Sequence, residues 1–342
     1  MKPKAWFLGL LVCALSAIDA SAQSQQPVQT VQFQSALIGK TLPYNVILPK
    51  DYYASPRTRY PVLYLLHGLF GHYSDWITRT NVADYAARYP MIVVMSEGNN
   101  GWYTDSATVR SDKYESYILK ELIPDVEKRY RTIETRFGRA VAGLSMGGYG
   151  ALKFGLKSPD MFIFAGSLSG ALAAPAWTEP DLQSVPAIRN SLLSVYGPTG
   201  SETRKTNDIY EMVRGAATAR IAALPYFYLD CGTEDLLVNF NQQFAVLLRD
   251  KKIPHEYREL PGDHNWAYWD QQVQEVLKIA AQRLHVGHTP APAKDKPRSR
   301  RAAKTGRLAG VPGLRYPHYV PPKHLWESFE VKFAEFCHSN CA

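Results

Sequence analysis

Four segments of the chain are almost continuously hydrophobic, and a fifth has the same length but a more polar composition. The four are 60–68, 91–98, 138–145 and 225–232, and the fifth is 255–262. Apolar runs without alternation are typical of strands buried on both faces, as in a parallel sheet. The polar fifth segment is typical of an edge strand. We therefore predict a largely parallel sheet.

Two further extended segments precede these runs. Residues 28–38 and 42–48 are separated by a Gly39-Lys40 turn. Two strands joined by so short a turn are expected to pair antiparallel. The sheet should therefore begin with an antiparallel pair.

A helical period follows the second hydrophobic run. Apolar side chains recur at Tyr114, Ile118, Leu122 and Val126. This spacing predicts one helix over 112–131, with Ser111 or Asp112 as its N-cap. Pro124 is expected to kink it, because proline lacks the N–H that the helix needs.

Helical patterns also fill the gaps between the later strands. A helix should follow Ser145, and residues 236–252 and 266–284 have clear amphipathic patterns. Alternating strands and helices indicate one α/β domain, which we place at 23–285. Residues 171–224 carry helix signals without a strand pattern, and we expect them to form a cap-like excursion over one edge of the sheet.

The N-terminal residues have the pattern of a secretory signal peptide. Lys2 and Lys4 precede a mainly apolar run, 5–18, and Ala20-Ser21-Ala22 matches a cleavage site. We therefore expect 1–22 to be removed and the protein to be exported, to the periplasm or the extracellular space. No later segment reaches about 18 consecutive apolar residues, so no membrane span is expected in the mature chain.

The formal net charge of +8 misrepresents the body of the protein. Residues 286–342 hold ten Lys and Arg against four Asp and Glu, and they are rich in Pro and Ala. This composition predicts a disordered basic tail, and the near-neutral remainder offers no support for a nucleic-acid partner. Cys337 and Cys341 in the tail could pair with each other, while Cys231 lies in a strand pattern and should be buried.

The segment Gly143-Leu144-Ser145-Met146-Gly147 joins a predicted strand to a predicted helix. A serine on so sharp a turn has a strained backbone, and glycines two positions away on each side relieve the crowding. The turn lifts the hydroxyl clear of the sheet and directs the Met146 N–H toward the same space. Ser145 is therefore the candidate nucleophile.

A serine nucleophile needs a base, and the base needs a carboxylate to orient it. In this type of fold they follow the serine in the order acid, then histidine, each after a later strand. His264 follows the last strand pattern and is the predicted base. Asp235 is the preferred acid because it lies beyond the preceding strand; Glu234 is the alternative, and Asp230 is expected to be structural.

The charge that forms on an attacked carbonyl needs N–H donors. The loop after the third strand supplies one of them in this fold, and we assign the oxyanion site to the backbone N–H groups of Leu69 and Met146. His67, in the same loop, is expected to organise the loop rather than to react. His72 has no assigned role.

Aromatic residues follow several strand patterns. We expect Trp76, Trp102 and Tyr103 to line a substrate cleft, since binding sites are often lined by aromatic side chains. Tyr268 and Trp269, at the start of the last helix, are expected to pack in the core instead.

Five motifs occur together in the chain: LLHGLFG followed by DW, EGNNGWYTDS, GLSMGGYGAL, DCGTEDLL and PGDHNWAYW. Together they resemble the putative-esterase family of α/β-hydrolases, which includes esterase D (S-formylglutathione hydrolase), tributyrin esterase, feruloyl and acetylxylan esterases and the antigen 85 mycolyltransferases. The similarity runs from about Val28 to Leu284. It implies an α/β-hydrolase fold whose nucleophile, acid, base and oxyanion donors are Ser145, Asp235, His264, Leu69 and Met146.

The resemblance and the residues together predict an exported serine esterase acting on small-molecule or polysaccharide esters. The acyl group would be short, or the substrate an acylated or feruloylated carbohydrate. No metal or organic cofactor is required. Two alternatives remain: an acyltransferase to a sugar or lipid hydroxyl, and a non-catalytic binding protein with the same fold. The cytosolic formylglutathione hydrolases lack a signal peptide, so that substrate is not expected.

Overall fold

An eight-stranded sheet organises residues 28–284, the part of the chain that this computed structural model describes. The strands are β1 (Val28–Ser35), β2 (Lys40–Ile47), β3 (Val62–Leu66), β4 (Ile92–Ser96), β5 (Arg139–Leu144), β6 (Phe164–Leu168), β7 (Tyr226–Gly232) and β8 (His255–Leu260). Their spatial order is β1-β2-β4-β3-β5-β6-β7-β8. The sheet is antiparallel at β1, β2 and β4 and parallel from β4 through β8, as the hydrophobic pattern predicts.

The strand order reverses between β3 and β5. The chain leaves β3 to form β4 on one side and returns to form β5 on the other, so β3 and β5 are neighbours. Leu66 at the end of β3 lies opposite Gly143 near the end of β5. The loops that follow these two strands therefore emerge side by side. In open α/β sheets this crevice is where ligands bind.

Helices cover the sheet. They are α1 (Asp75–Arg79), α2 (Val82–Ala86), α3 (Tyr114–Tyr117), α4 (Ile123–Arg129), α5 (Met146–Lys157), α6 (Pro186–Tyr196), α7 (Glu202–Asn207), α8 (Ile209–Arg214), α9 (Thr218–Ile221), α10 (Val238–Asp250) and α11 (Trp266–Arg283). Both sheet faces are buried: along β3, Tyr64 belongs to one hydrophobic cluster, whereas Leu63 and Leu65 belong to the other. The apolar runs lack alternation for this reason.

The helical segment predicted over 112–131 differs in detail. It begins at Tyr114 rather than after Ser111 or Asp112, with Lys113 at the N-cap position and no side-chain cap hydrogen bond. A π-helical turn, Ile118–Leu122, separates α3 from α4. Pro124 lies in the first turn of α4, directly after this wide turn. The kink at Pro124 stays a prediction.

The sequence pattern does not predict β6. Its residues FAGSL include three small side chains, so neither hydrophobicity nor β-propensity marks it as a strand. Gly166 meets a packing need, because a Cβ there would come within 3.1 Å of the Ala142 Cβ on β5. Close contact with the central strand, rather than propensity, makes this segment a strand.

Residues 171–224 form helices α6 to α9 and two 3₁₀ turns, and no strand. Several hydrogen bonds connect the segment to the rest of the domain, and two of them involve the loop after β4 and helix α5. Trp102 Nε1 donates to Ser191 Oγ at 3.1 Å, and the Tyr149 hydroxyl on α5 donates to Asn207 O at 2.8 Å. The excursion therefore packs on α5 and on the loop after β4.

Between residues 28 and 284, no helix combines the length and the hydrophobicity needed to cross a membrane. Cys231 is buried, as predicted. The predicted signal peptide 1–22, the tail 286–342 and the pair Cys337 and Cys341 lie outside the described residues.

Candidate active site

Ser145 occupies the turn between β5 and α5 in a left-handed backbone conformation, with φ 52° and ψ −115°. The crowding around the turn explains its neighbours. A Cβ on Gly143 would lie 2.6 Å from the Gly147 carbonyl carbon, and a Cβ on Gly147 would lie 2.6 Å from the carbonyl oxygens of Leu66 and His67. No side chain fits at either position, so both glycines are required by close backbone approach.

Ser145, His264 and Asp235 form one chain of hydrogen bonds. His264 Nε2 lies 3.1 Å from Ser145 Oγ, and His264 Nδ1 lies 2.8 Å from Asp235 Oδ2. Asp235 Oδ1 also accepts the Leu237 N–H at 2.8 Å. The three side chains come from the ends of β5, β7 and β8 and meet at the carboxyl edge of the sheet.

The groups in these hydrogen bonds determine which atom donates in each bond. Asp235 is fully buried, and the His264 side chain is 16% exposed. A carboxylate can only accept from Nδ1–H, which leaves the Nε2 lone pair facing the serine hydroxyl. Trp269 packs edge-on against the imidazole, with ring centroids 4.9 Å apart, and holds its plane. The arrangement can take a proton from Ser145.

Two backbone N–H groups border the same space. Among the described residues, neither the Leu69 N–H nor the Met146 N–H donates a hydrogen bond to another protein group. A Cβ on Gly68 would lie 3.5 Å from Ser145 Cβ, so the loop after β3 runs directly beside the nucleophile. Met146 begins α5, whose N-terminus favours negative charge. Both N–H groups therefore belong to segments next to Ser145, and their role as oxyanion donors stays a prediction.

Glu234, the alternative acid, has a different place in the structure. Its carboxylate accepts the Gly262 N–H at 2.6 Å, and its own N–H donates to Gly262 O at 3.0 Å. These bonds connect the loop that carries Asp235 to the loop that carries His264. Glu234 therefore sets the spacing between the two loops.

Asp230 lies inside β7 and is fully buried. Burial raises the pKa of its carboxyl to about 7, and the nearby Asp235 adds to the rise. Tyr228, Tyr268 and Arg258 oppose it, but neither carboxylate oxygen has a hydrogen-bond partner among the described residues. Asp230 makes no contact with the imidazole, in agreement with the structural role predicted for it.

The predicted substrate-lining role of three aromatic residues is wrong in this structure. Trp76 and Tyr103 are fully buried and Trp102 is 2% exposed, so they offer a ligand almost no surface. Trp76 Nε1 donates to Leu66 O at 3.1 Å, beneath the end of β3. The polar sequence around Trp102 and Tyr103 suggested exposure, but Trp177 and Tyr196 of the 171–224 segment pack against Trp102, and Trp76 packs against Trp266. Tyr268 and Trp269 are buried, as predicted.

Sequence reasoning missed the contacts of the loop after β4. Asn100 Oδ1 accepts the Phe70 N–H at 2.9 Å, and the Tyr103 hydroxyl donates to His67 O at 3.0 Å. The unusual GNNG composition was the available signal, since such residues adopt left-handed conformations. The loop after β4 therefore contacts the loop after β3, which carries Leu69.

The family comparison identifies the region that carries this site. The model of the family described as "Putative esterase" matches residues 35–279. This range includes Ser145, His264 and Asp235 and the two residues predicted to supply oxyanion donors, Leu69 and Met146.

Three named relatives match most of this chain. The acetyl esterase of Caldicellulosiruptor saccharolyticus is 28% identical over 262 residues, covering 73% of this chain and 97% of that protein. An esterase of Mycobacterium tuberculosis is 35% identical over 254 residues, which is 68% of this chain but only 54% of that protein. A diacylglycerol acyltransferase/mycolyltransferase of Mycobacterium leprae is 27% identical over 298 residues, covering 78% of this chain and 88% of that protein.

Solved structures agree with the fold. A ferulic acid esterase superposes with a TM-score of 0.64 at 29% identity, covering 75% of this chain and 99% of the other. The fluorophosphonate-binding serine hydrolase F of Staphylococcus aureus superposes with a TM-score of 0.66 at 28% identity, covering 75% and 98%. With its fold, its site and the family match over 35–279, the chain belongs to the "Putative esterase" family of α/β-hydrolases.

Proposed function

We propose that this protein is a serine esterase that hydrolyses carboxylic esters through an acyl-enzyme, with Ser145 as nucleophile, His264 as base and Asp235 as the orienting acid. The observation that carries the proposal is the unbroken hydrogen-bond chain, 3.1 Å from Ser145 Oγ to His264 Nε2 and 2.8 Å from His264 Nδ1 to Asp235. A serine hydroxyl is a weak nucleophile unless such a base removes its proton.

Acylation follows from the geometry. His264 takes the Ser145 proton as Oγ bonds to the ester carbonyl carbon, and the carbonyl oxygen becomes an oxyanion. The N–H groups of Leu69 and Met146 donate to that oxygen, which is worth several kcal/mol in the transition state. The bond to the alcohol oxygen then breaks, and His264 returns the proton to the departing alcohol.

Deacylation repeats the sequence with water. His264 takes a proton from a water molecule, whose oxygen attacks the acyl carbonyl. The bond to Ser145 Oγ then breaks, the serine regains its proton, and a carboxylic acid leaves. Asp235 holds the imidazole in the required tautomer and stabilises its protonated form in both halves of the reaction. Every step uses groups of the protein itself.

The substrate class rests on the relatives and on the predicted export. Proteins named as an acetyl esterase and a ferulic acid esterase share 28% and 29% identity with this chain. We infer that the substrates are esters of short acyl groups, or acylated or feruloylated carbohydrates, outside the cytoplasm. Residues 23–285 would form the esterase domain, with 171–224 as its cap.

A fluorophosphonate probe tests the chemistry. Such probes react only with an activated serine, so the folded protein should be labelled at Ser145. Ser145→Ala should retain the fold by circular dichroism and lose at least about a thousandfold in kcat on p-nitrophenyl acetate. Absence of labelling in the folded protein would reject the enzyme and favour a non-catalytic binding protein.

A panel of ester substrates identifies the acyl group and the alcohol that the enzyme prefers. p-Nitrophenyl esters of increasing acyl length, methyl ferulate and acetylated xylan should differ in kcat/KM, and the best substrate assigns the acyl group and the alcohol. Activity confined to long-chain acyl esters would contradict the proposed class.

An acyltransferase is the second candidate, and the relative named a diacylglycerol acyltransferase/mycolyltransferase favours it. In this reaction a sugar or lipid hydroxyl would replace water in the second step. Product analysis with and without a sugar acceptor separates the two. Free acid as the main product in both reactions supports the hydrolase, and acylated sugar supports the transferase.

A further inference from the structure

We propose that His67, supported by the loop after β4, is a positioning residue that fixes the Gly68–Leu69 peptide so that the Leu69 N–H faces the oxyanion. The inference rests on the proposed function, because it assigns a role to residues around the same reaction. It also gives a reason for the polar loop at 97–104, whose aromatic residues Trp102 and Tyr103 are buried.

His67 is fully buried at the end of β3 and has a partner at each ring nitrogen. Nδ1 lies 2.7 Å from Gly68 O, and Nε2 lies 2.8 Å from the Gly98 backbone nitrogen. A carbonyl can only accept and a backbone N–H can only donate. His67 must therefore carry its proton on Nδ1, donate it to Gly68 O, and accept the Gly98 N–H at Nε2.

Glu97 is an alternative hydrogen-bond partner for His67 Nε2. Its Oε1 lies 3.3 Å from His67 Nε2, farther than the Gly98 nitrogen. The same oxygen accepts the Asn99 N–H at 2.7 Å and the Gly98 N–H at 3.1 Å. A proton on Nε2 would face the Gly98 N–H, donor against donor. The shorter contacts thus favour a ring that donates its Nδ1 proton to Gly68 O and accepts the Gly98 N–H at Nε2.

The bond from His67 to Gly68 O controls a donor on the other side of the peptide. All peptide bonds between residues 28 and 284 are trans, and a planar trans peptide directs its C=O and N–H in opposite directions. The Gly68 carbonyl and the Leu69 N–H belong to the same peptide. When His67 holds the carbonyl oxygen on the protein side, the N–H must point away from it, toward the space beside Ser145.

The loop after β3 needs the His67 hydrogen bond because the turn that it forms at Gly68–Gly71 is strained. Gly71 N–H donates to Gly68 O at 3.1 Å, which closes a turn with Phe70 at its third position. Phe70 has φ 62°, a left-handed conformation that favours glycine there. A non-glycine residue in this region costs about 1–3 kcal/mol and persists only where the surroundings hold it.

The loop after β4 supplies the surroundings. Asn100 Oδ1 accepts the Phe70 N–H at 2.9 Å, and the Tyr103 hydroxyl donates to His67 O at 3.0 Å. Three residues of this loop, Asn99, Trp102 and Tyr103, are themselves left-handed. Its hydrogen bonds and its buried aromatic rings therefore hold His67 and the strained turn in one arrangement.

Two nearly isosteric variants test the role of His67. The amide nitrogen of Asn lies near the Nδ1 position, so His67→Asn should keep a donor to Gly68 O. The amide of Gln extends toward the Nε2 position, so His67→Gln should lose that donor. We expect kcat of His67→Gln to be about tenfold to a hundredfold below that of His67→Asn, which is less than the loss from deleting an oxyanion donor.

Two readouts separate positioning from a structural effect. KM should stay within about twofold in both variants, because the oxyanion forms only in the transition state. The affinity for an alkyl boronic acid, whose serine adduct is tetrahedral and anionic, should fall in parallel with kcat. Equal kcat in folded Asn and Gln variants would overturn the proposal, as would a loss confined to KM.

His72→Ala is the matched control. The His72 imidazole contacts the same Glu97 at 3.2 Å but is 64% exposed and has no bond to Gly68, so its removal should leave kcat unchanged. If neither His67 variant folds, Asn100→Ala decides, because Asn100 is partly exposed and holds the same turn. A severalfold lower kcat at constant KM supports the proposal, and an unchanged kcat overturns it.

The failure of this proposal is distinguishable from the failure of the proposed function. Failure of the proposed function would appear as an unlabelled, inactive wild type. Failure of the positioning role would appear as an active wild type whose His67 variants do not differ.

Discussion

At the scale of single residues, two aspartates five positions apart have opposite environments. Asp235 accepts hydrogen bonds from His264 and Leu237, which compensate its burial. Asp230 is as deeply buried, and burial raises the pKa of its carboxyl to about 7 even though Tyr228, Tyr268 and Arg258 lower it. Burial thus makes the charged form of Asp230 unfavourable, whereas two hydrogen bonds hold the carboxylate of Asp235.

The pKa of Asp230 predicts a pH-dependent stability. The pKa is higher in the folded protein than the usual 3.8, so the folded state retains a proton between about pH 4 and pH 7 that the unfolded state releases. This contribution is fully present below that window and is lost as pH rises through it. Asp230→Asn stays neutral, so its free energy of unfolding relative to wild type should rise by a few kcal/mol from pH 4 to pH 8.

Urea unfolding of both proteins across this range measures the effect. The kcat of Asp230→Asn should remain near that of the wild type, because Asp230 does not contact His264. Parallel pH profiles of stability in the two proteins would contradict the shifted pKa.

At the scale of elements, helix α5 connects the nucleophile to the loop after β4. Two turns beyond Ser145, the Lys153 side chain is fully buried. Its Nζ donates to Tyr103 O and Thr104 Oγ1, each at 2.6 Å, and lies 2.9 Å from Glu115. Burial lowers the pKa of Lys153 to about 8, which still leaves it mainly charged at pH 7. The Lys153 ammonium group thus connects α5 to the loop after β4 and to Glu115 on α3.

Removing the Lys153 ammonium group should lower the free energy of unfolding. Lys153→Met leaves the Tyr103 carbonyl without its donor and removes a buried charge partner of Glu115, so we expect a loss of about 3–5 kcal/mol in the free energy of unfolding. Lys157 pairs with the same carboxylate at 2.6 Å but is 32% exposed. Lys157→Met should therefore cost about 1 kcal/mol or less. Denaturant unfolding measures the free energy of unfolding of both variants. Equal losses in the two variants would show that the buried contacts of Lys153 do not stabilise the fold.

At the scale of the whole molecule, the strand order brings distant parts of the chain together. Parallel strands β3, β5, β7 and β8 all end at one edge, and their loops carry Leu69, Ser145, Asp235 and His264. The order reversal between β3 and β5 places the donor loop beside the nucleophile. The site thus depends on the sheet topology and not on any one loop.

The domain boundary gives a prediction at this scale. Helix α11 ends at Arg283 and Leu284 is buried, so the packed structure reaches the end of the described residues. A chain truncated after Leu284 should hydrolyse p-nitrophenyl acetate with a kcat/KM within about twofold of the full chain. A large loss, measured with both proteins folded, would place part of the active domain in the tail.

Sequence patterns predicted most of this architecture because the hydrophobic effect acts on local spacing. Long apolar runs identified the buried strands, and glycines two positions on each side of Ser145 identified the sharp turn. The pattern missed β6, whose small residues become a strand only through contact with β5. It also misplaced Trp102, since exposure in a polar loop depends on the cap that covers it.

The sequence by itself determined the candidate chemistry: a serine with the backbone turn it needs, followed by an acid and a histidine after later strands. These features lie in short segments, where spacing and residue type suffice. Only the tertiary structure decided that Asp235 and not Glu234 contacts His264, and that His67 holds the Gly68 carbonyl. Such choices depend on ångström distances between segments far apart in the chain, which are set by strand register and packing rather than by local pattern.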